Sequence, residues 1–269
     1  MVRRRVPQDE PVDPFEEIEP AGMIGFWICA FVIALLLLLV FFTITCDAQS
    51  VTAPMISNVA AGAGGGGDTI AVGDAQTSTA AWATSRSVTV TSVENSYDVG
   101  YALALNLSGV EPATMTWGGN AMTIVAQESG GSARAVLYRY VGCATGGTTV
   151  QASWSAAANV CLSAFQLTNV DQSTPDEDPD SASGWTNDFS LTATSRQTTD
   201  KVVLFMTGNN STDPTDDENQ TRIATLNGGS VGEQAMSWKA GAAGTVTMGY
   251  TLSASTTALR IIINVRLKP

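Results

Sequence analysis

Hydrophobic and polar positions alternate along many short segments of this chain, and Gly, Asn, Asp and Pro separate the segments. Tyr101, Leu103 and Leu105 fall on one face of such a segment, and residues 87–93 alternate in the same way. Period-two alternation is typical of strands because successive side chains of an extended chain point to opposite faces. The pattern predicts strands at 87–93, 101–107, 115–117, 121–125, 134–141, 148–154, 159–168, 187–194, 201–207, 221–226, 233–238, 245–252 and 258–267.

The triplet Gly118-Gly119-Asn120 separates two of these segments. It predicts a tight hairpin because Gly and Asn tolerate the positive φ that such turns require. No helical period lies between the segments, and no short-period repeat is visible, which disfavours propellers and solenoids. We therefore expect an all-β domain over residues 68–269, an antiparallel β-sandwich of the jelly-roll-like or Ig-like kind.

A different pattern precedes this domain, because residues 20–46 carry no charge and are mostly apolar. As a helix, residues 23–45 would be about 35 Å long, enough for a hydrocarbon core of about 30 Å. They are predicted to form a single transmembrane α-helix held in the lipid bilayer. A cleaved signal peptide ending near Cys46 is the alternative, although its apolar core is usually only about 7–15 residues long.

The helix divides the rest of the chain. Residues 1–22 form an acidic, Pro-rich tail, and residues 46–67 form a Gly- and Ala-rich linker. Arg3, Arg4 and Arg5 lie before the helix, and the first basic residue after it is Arg86. The positive-inside rule predicts a cytoplasmic N-terminus and a periplasmic or extracellular β domain, or a virion-membrane location if the protein is viral.

The composition of the chain limits the kinds of function that the domain can have. The chain carries 13 basic and 25 acidic residues, a net charge of −12, so phosphate neutralisation and nucleic-acid binding are not expected. It has no histidine, the commonest general base and a frequent metal ligand. We therefore expect a protein that is not an enzyme and that uses no cofactor.

Several segments resemble a known family. The run from Met115 to Val125 is similar to a strand–glycine–strand hairpin in a widespread β-sandwich domain of bacterial secreted or surface proteins and phage structural proteins. Residues 135–140 and 164–175 resemble later segments of that domain, in the same order, within residues 85–268. The chain departs from the family at Gly142-Cys143-Ala144, where a Pro-containing turn is common. The resemblance implies a sandwich with an adhesive, appendage or virion role and brings no catalytic residues.

Three groups of side chains are candidate sites. Cys143 and Cys161 are a candidate disulfide, with buried free thiols as the alternative. Two acidic segments, both expected to be loops, are weak Ca²⁺ candidates because carboxylates are calcium ligands; they contain Asp176, Asp178, Asp180, Asp213, Asp216 and Asp217. Trp82 and Trp185, also expected in loops, are candidate contact residues, whereas Trp154 and Trp238 lie in strand-like runs and are expected in the core.

The leading functional hypothesis is a membrane-anchored structural or interaction subunit that scaffolds a larger assembly with other protein subunits. The assembly could be a photosynthetic or respiratory complex, a membrane-containing virion or a surface appendage. A carbohydrate-binding lectin is a second class, suggested by the sandwich and by Trp185. Paired acidic residues also raise glycosidase chemistry, but that needs two carboxyl groups in one cleft, and here the acidic residues fall in Pro- and Ser-rich segments.

Overall fold

A computed structural model describes residues 69–92, 97–208, 214–217 and 219–269. These residues form antiparallel strands and a short 3-10 segment, Gly229–Val231. The strands are β1 (Ala71–Ser92), β2 (Val99–Asn106), β3 (Thr114–Trp117), β4 (Asn120–Ala121), β5 (Thr123–Gly130), β6 (Ala133–Val141), β7 (Gly146–Thr168), β8 (Asp176–Ser195), β9 (Lys201–Gly208), β10 (Thr215–Asp216), β11 (Thr221–Asn227), β12 (Glu233–Ala240) and β13 (Gly244–Val265).

The first sheet is built around the long strand β7. β1 pairs with β7 from Ala71 opposite Thr168 to Ser92 opposite Gly146, with interruptions in the register. The other edge of β7 is shared, because β2 pairs with its second half and β3 with its first half. β6 and β5 continue the sheet beyond β2, and β4 pairs with β3 through the predicted hairpin. Gly118 and Gly119 both have positive φ there, as such a turn requires.

The second sheet repeats this arrangement around β13. β8 pairs along one edge of β13, β9 and β10 share the other edge, and β12 and β11 continue beyond β9. Each strand of the second sheet follows its counterpart in the first sheet by about 100 residues; for example, β2 begins at Val99 and β9 at Lys201. The described domain is therefore a structural duplication. Its period is longer than that of the short repeats typical of propellers and solenoids.

Both long strands bend at their middle. Residues 154–157 of β7 have no partner in β1, and residues 252–255 of β13 have none in β8. Extra residues on one strand of an antiparallel pair bend the strand and increase its twist. The predicted strands 148–154 and 159–168 are therefore one strand with an internal bulge, and so are 245–252 and 258–267.

Each bend produces an arm that packs over the outer face of its own sheet. The first arm contains residues 85–92 and 146–153 together with β3, and the second contains residues 188–195 and 244–251 together with β10. We call a sheet with its arm a lobe. The two sheets pack face to face as a sandwich, and each lobe adds an apolar cluster of its own.

Three clusters of buried side chains result. The central core lies between the sheets and includes Tyr101, Leu103, Phe165, Phe205, Leu259 and Ile261. The first outer core lies under the first arm and includes Val90, Ala102, Ala104, Trp117, Val150 and Leu162. The second outer core lies under the second arm and includes Phe189, Val202, Leu204, Met206, Met248 and Tyr250. Because both faces of β2 and β9 are covered, these strands are buried along almost their whole length.

Buried polar pairs repeat as well. Asp98 and Asp200 immediately precede β2 and β9, and both are buried. Asp98 accepts a hydrogen bond from the Gln166 amide, and Asp200 accepts one from Asn264 Nδ2 at 3.2 Å. The main-chain oxygen atoms of the same two aspartates accept from the glycines after β6 and β12, at 3.0 and 2.8 Å. Each hydrogen-bonded pair holds the start of β2 or β9 against the end of β7 or β13.

A separate polar link crosses the central core. Gln234 of β12 is buried, and its Nε2 donates to the main-chain oxygen of Leu103 at 3.3 Å. Its Oε1 accepts a hydrogen bond from the Ser163 hydroxyl of β7. Buried polar groups need such partners to offset desolvation, so Gln234 ties the second sheet to the first at a defined register.

The predicted transmembrane helix at 23–45, with the tail and the linker, lies outside the described residues. Among the residues that the structure describes, no helix has the length and apolar character needed to cross a membrane.

Candidate functional site

Two tryptophans occupy equivalent places at the bends. Trp82 lies on β1 beside the bulge of β7, and Trp185 lies on β8 beside the bulge of β13. Their side chains are 78 % and 73 % exposed, the largest values among the exposed large hydrophobic residues of the described chain. We call these places the Trp82 corner and the Trp185 corner. Large exposed aromatic side chains are frequent contact residues in interfaces.

Small residues surround each tryptophan. The bulge beside Trp82 contains Ser155-Ala156-Ala157, and the bulge beside Trp185 contains Ser253-Ala254-Ser255; all six are exposed. At each corner, one exposed aromatic side chain therefore lies beside a run of exposed small residues.

The Trp82 corner has an unusual backbone. Trp82 has a φ of 49°, in the left-handed region that bulky residues seldom adopt. Its N–H donates to the Asn159 side-chain oxygen at 3.4 Å, a contact that helps to hold this conformation. Strained conformations persist where the surrounding structure enforces them, and they cluster at functional sites.

The Trp185 corner borders a groove of about 510 Å³. Besides Trp185, its lining consists of Leu107, Gly130, Gly131, Ser132, Ala133, Ala254, Ser255, Thr256 and Thr257. The lining comes from both sheets, because the turn between β5 and β6 faces the bulge of β13 across the groove. No lining residue is ionisable.

The expectation that Trp82 and Trp185 lie in loops was wrong, since both belong to strands. Residues 71–86 and 176–186 lack clean alternation because bulges and edge positions interrupt it. The sequence did contain a signal for the bulges, because in β7 and β13 three small residues separate two alternating segments. Trp154 is buried as predicted, and Trp238 is partly buried.

The first acidic segment belongs to strand β8 rather than to a loop. Asp176 Oδ1 contacts Arg139 Nη1 at 2.7 Å and accepts a hydrogen bond from the Tyr101 hydroxyl at 3.2 Å. Burial, followed by the charge of Asp176, raises the pKa of Tyr101 well above its ordinary value. Asp176 therefore links the two sheets, while Asp178 and Asp180 are exposed.

The second acidic segment lies at the other end of β13. Asp216 Oδ2 accepts from Arg222 Nε at 2.8 Å, and its other oxygen accepts from the Ser237 hydroxyl. Burial, and then the charges of Asp188 and Asp216, raise the pKa of Asp217. Asp213 lies outside the described residues. Within the described ranges, no three His, Cys, Asp or Glu side chains come together as metal ligands.

Cys143 and Cys161 are both free and buried. They lie in different cores, Cys161 in the central core and Cys143 in the first outer core, on opposite faces of the first sheet. The candidate disulfide is therefore not formed, because a disulfide requires Cα atoms within about 4.4–6.8 Å and converging side chains. Burial raises the pKa of each thiol to about 12.

Known proteins give no further guidance. The chain matches no family model, no curated protein and no solved structure. The two corners are therefore the features from which a function can be inferred.

Proposed function

We propose that the protein is a non-catalytic structural or interaction subunit, anchored in a membrane by residues 23–45, and that it contacts its neighbours through the two tryptophan corners. The observation that carries the proposal is the exposure of Trp82 and Trp185 at equivalent bends of a duplicated domain. Both side chains are presented by strands of the described domain.

Burial of Trp82 and Trp185 against a partner is energetically favourable. Burying a tryptophan removes about 150–250 Å² from water, which contributes about 4–6 kcal/mol before the entropic cost of association. Aromatic residues in desolvated centres of interfaces commonly dominate binding. Two such residues on one domain support contacts to two neighbours, or to one neighbour that spans both corners.

The proposal places the β domain on the periplasmic or extracellular side of the membrane. The assembly would be a photosynthetic or respiratory complex, a membrane-containing virion or a surface appendage. In each setting the domain holds other subunits together, and the resemblance to phage and bacterial surface domains is consistent with such a role.

The test is purification of the full-length chain from its native membrane in mild detergent, followed by crosslinking and identification of the bound polypeptides. We expect a multi-protein assembly that the double variant Trp82→Ala/Trp185→Ala no longer forms. Ile124→Ala is the matched control, because Ile124 is an exposed hydrophobic residue of β5 away from the bulges. Recovery of the wild-type chain only as a free monomer, or an intact assembly in the folded double variant, would contradict the proposal.

A further inference from the structure

We infer that the groove at the Trp185 corner binds a neutral saccharide. The inference rests on the proposed contact role of Trp185 and names the chemistry of its partner. The shape of the groove, the chemistry of its lining and a comparison with a second cleft each support it.

The groove has the dimensions of a small-molecule site. Its volume of about 510 Å³ falls within the range of about 300–1,000 Å³ that is usual for such sites. Trp185 forms one side, and the Gly130-Gly131-Ser132 turn forms another. A Cβ placed on Gly131 would meet nothing within 4 Å, so the main chain at Gly131 is not covered by protein.

The lining matches the two kinds of surface on a sugar ring. A pyranose has an apolar face of C–H groups, which stacks on the electron-rich face of an indole. Its rim carries hydroxyl groups, each of which donates and accepts hydrogen bonds. The groove offers the hydroxyls of Ser132, Ser255 and Thr257, which can do the same. Trp185 pairs directly with Thr257 across the strands, so aromatic and hydroxyl groups lie side by side.

The lining offers no charged side chain to pair with an ionic ligand. The chain has a net charge of −12, yet no ionisable side chain lines this groove. An anionic ligand would meet no basic partner in the groove, and a cationic ligand would find no carboxylate there. A neutral, hydroxyl-rich ligand is the class that the lining satisfies.

A second cleft, of about 420 Å³, shows what is special about the first. Its lining includes Trp117 and Tyr140, but the two rings stack on each other with centroids 6.3 Å apart, and Trp117 is 1 % exposed. The Trp117 ring is therefore already covered by the protein. At the Trp185 corner the ring is 73 % exposed and remains available.

The experiment is binding of the purified full-length chain in detergent to an array of neutral oligosaccharides, both free and protein-linked, followed by titration of the best binder. The two array formats distinguish a polysaccharide from the glycan of a glycoprotein. We expect binding that Trp185→Ala weakens by about tenfold or more, the change that corresponds to about 1.4 kcal/mol. Ser255→Arg, which fills the groove and leaves Trp185 in place, should have the same effect.

The matched control is Trp82→Ala, which removes an equally exposed tryptophan from the equivalent corner and should leave saccharide binding unchanged. A flat array at high protein concentration, binding that survives Trp185→Ala, or equal loss in Trp82→Ala would overturn the inference. A flat array with an assembly that still depends on both tryptophans would refute the saccharide alone. Saccharide binding without such an assembly would instead refute the scaffolding role.

Discussion

The two lobes share one strand order but fill their outer cores with different residues. In the first lobe, the outer face of β2 carries small residues, Gly100, Ala102 and Ala104, and the first arm supplies Trp117. A Cβ on Gly100 would lie 2.5 Å from the Trp117 ring, so the indole occupies the space that a larger residue on β2 would need.

In the second lobe larger residues stand on the sheet. The outer face of β9 carries Val202, Leu204 and Met206, and the second arm supplies Phe189, Met248 and Tyr250. Packing constrains the total volume between a sheet and its arm more than the identity of any one residue. One backbone arrangement can therefore be filled by two unrelated sequences, which explains why the duplication is not visible as a sequence repeat.

Trp117→Ala should have the largest effect on this comparison. It removes a fully buried side chain from the first outer core, and such changes cost about 3–5 kcal/mol. Denaturant unfolding would measure the loss, and hydrogen exchange would show amides of the first arm exchanging faster. Trp185→Ala is the control, because Trp185 is 73 % exposed, and should change stability by less than about 0.5 kcal/mol. Equal loss of protection in the second arm would show that the lobes do not hold separate outer cores.

Gly100→Val places in the first lobe the residue type that the second lobe has at the corresponding Val202. We expect a destabilisation of about 1–3 kcal/mol, because the added carbons overlap the Trp117 ring. Gly147→Ala is the control in the same lobe, since its Cβ would lie 3.5 Å from the nearest atom, an ordinary contact. If thermal unfolding of Gly100→Val matched that of the wild type, the Trp117 ring would not need the space beside Gly100.

Asp200→Ala and Asp98→Ala test whether the two buried polar pairs are equivalent. Removing Asp200 leaves the Asn264 amide and the Leu267 N–H without their acceptor, which should cost about 1–3 kcal/mol. Asp98→Ala should cost a similar amount because it leaves the Gln166 amide in the same situation. Chemical denaturation measures both, with the exposed Asp180→Ala as control. An effect in one lobe alone would show that the pairs differ in role.

Lys201 should give the smallest effect, as a dependence of stability on pH. It corresponds to Val99 of the first lobe, and burial lowers its pKa from 10.5 to about 8. Between these values the unfolded chain binds more protons than the folded chain, so the free energy of unfolding rises with pH from about 8 to 10.5. Below pH 8 the full penalty of burying the cation remains, although its Nζ lies 3.1 Å from the centroid of the Trp238 ring, a contact that favours the charged form.

The measurement is the difference in thermal midpoint between the wild type and Lys201→Met from pH 7 to pH 10. The difference should shrink as pH rises above 8. The raised pKa values of the buried thiols Cys143 and Cys161 lower stability above about pH 9. Because this contribution is the same in both proteins, it cancels in the difference between their thermal midpoints. A constant difference would indicate that Lys201 titrates at its ordinary pKa.

The amino-acid sequence by itself predicted the all-β class, most strand positions and the hairpin at Gly118-Gly119, because alternation and turn chemistry are local properties of a chain. It also singled out Trp82 and Trp185 as contact candidates, although it placed them in loops.

Only the tertiary structure decided how these elements combine. The bends in β7 and β13, the arms and the duplication depend on strand pairings between distant residues, such as Ala71 with Thr168. The groove beside Trp185 depends on the approach of the β5–β6 turn to β13. The placement of Cys143 and Cys161 on opposite faces of one sheet is equally non-local. Local alternation specifies which residues form strands, whereas the packing of volumes between sheets and arms determines which surfaces stay exposed.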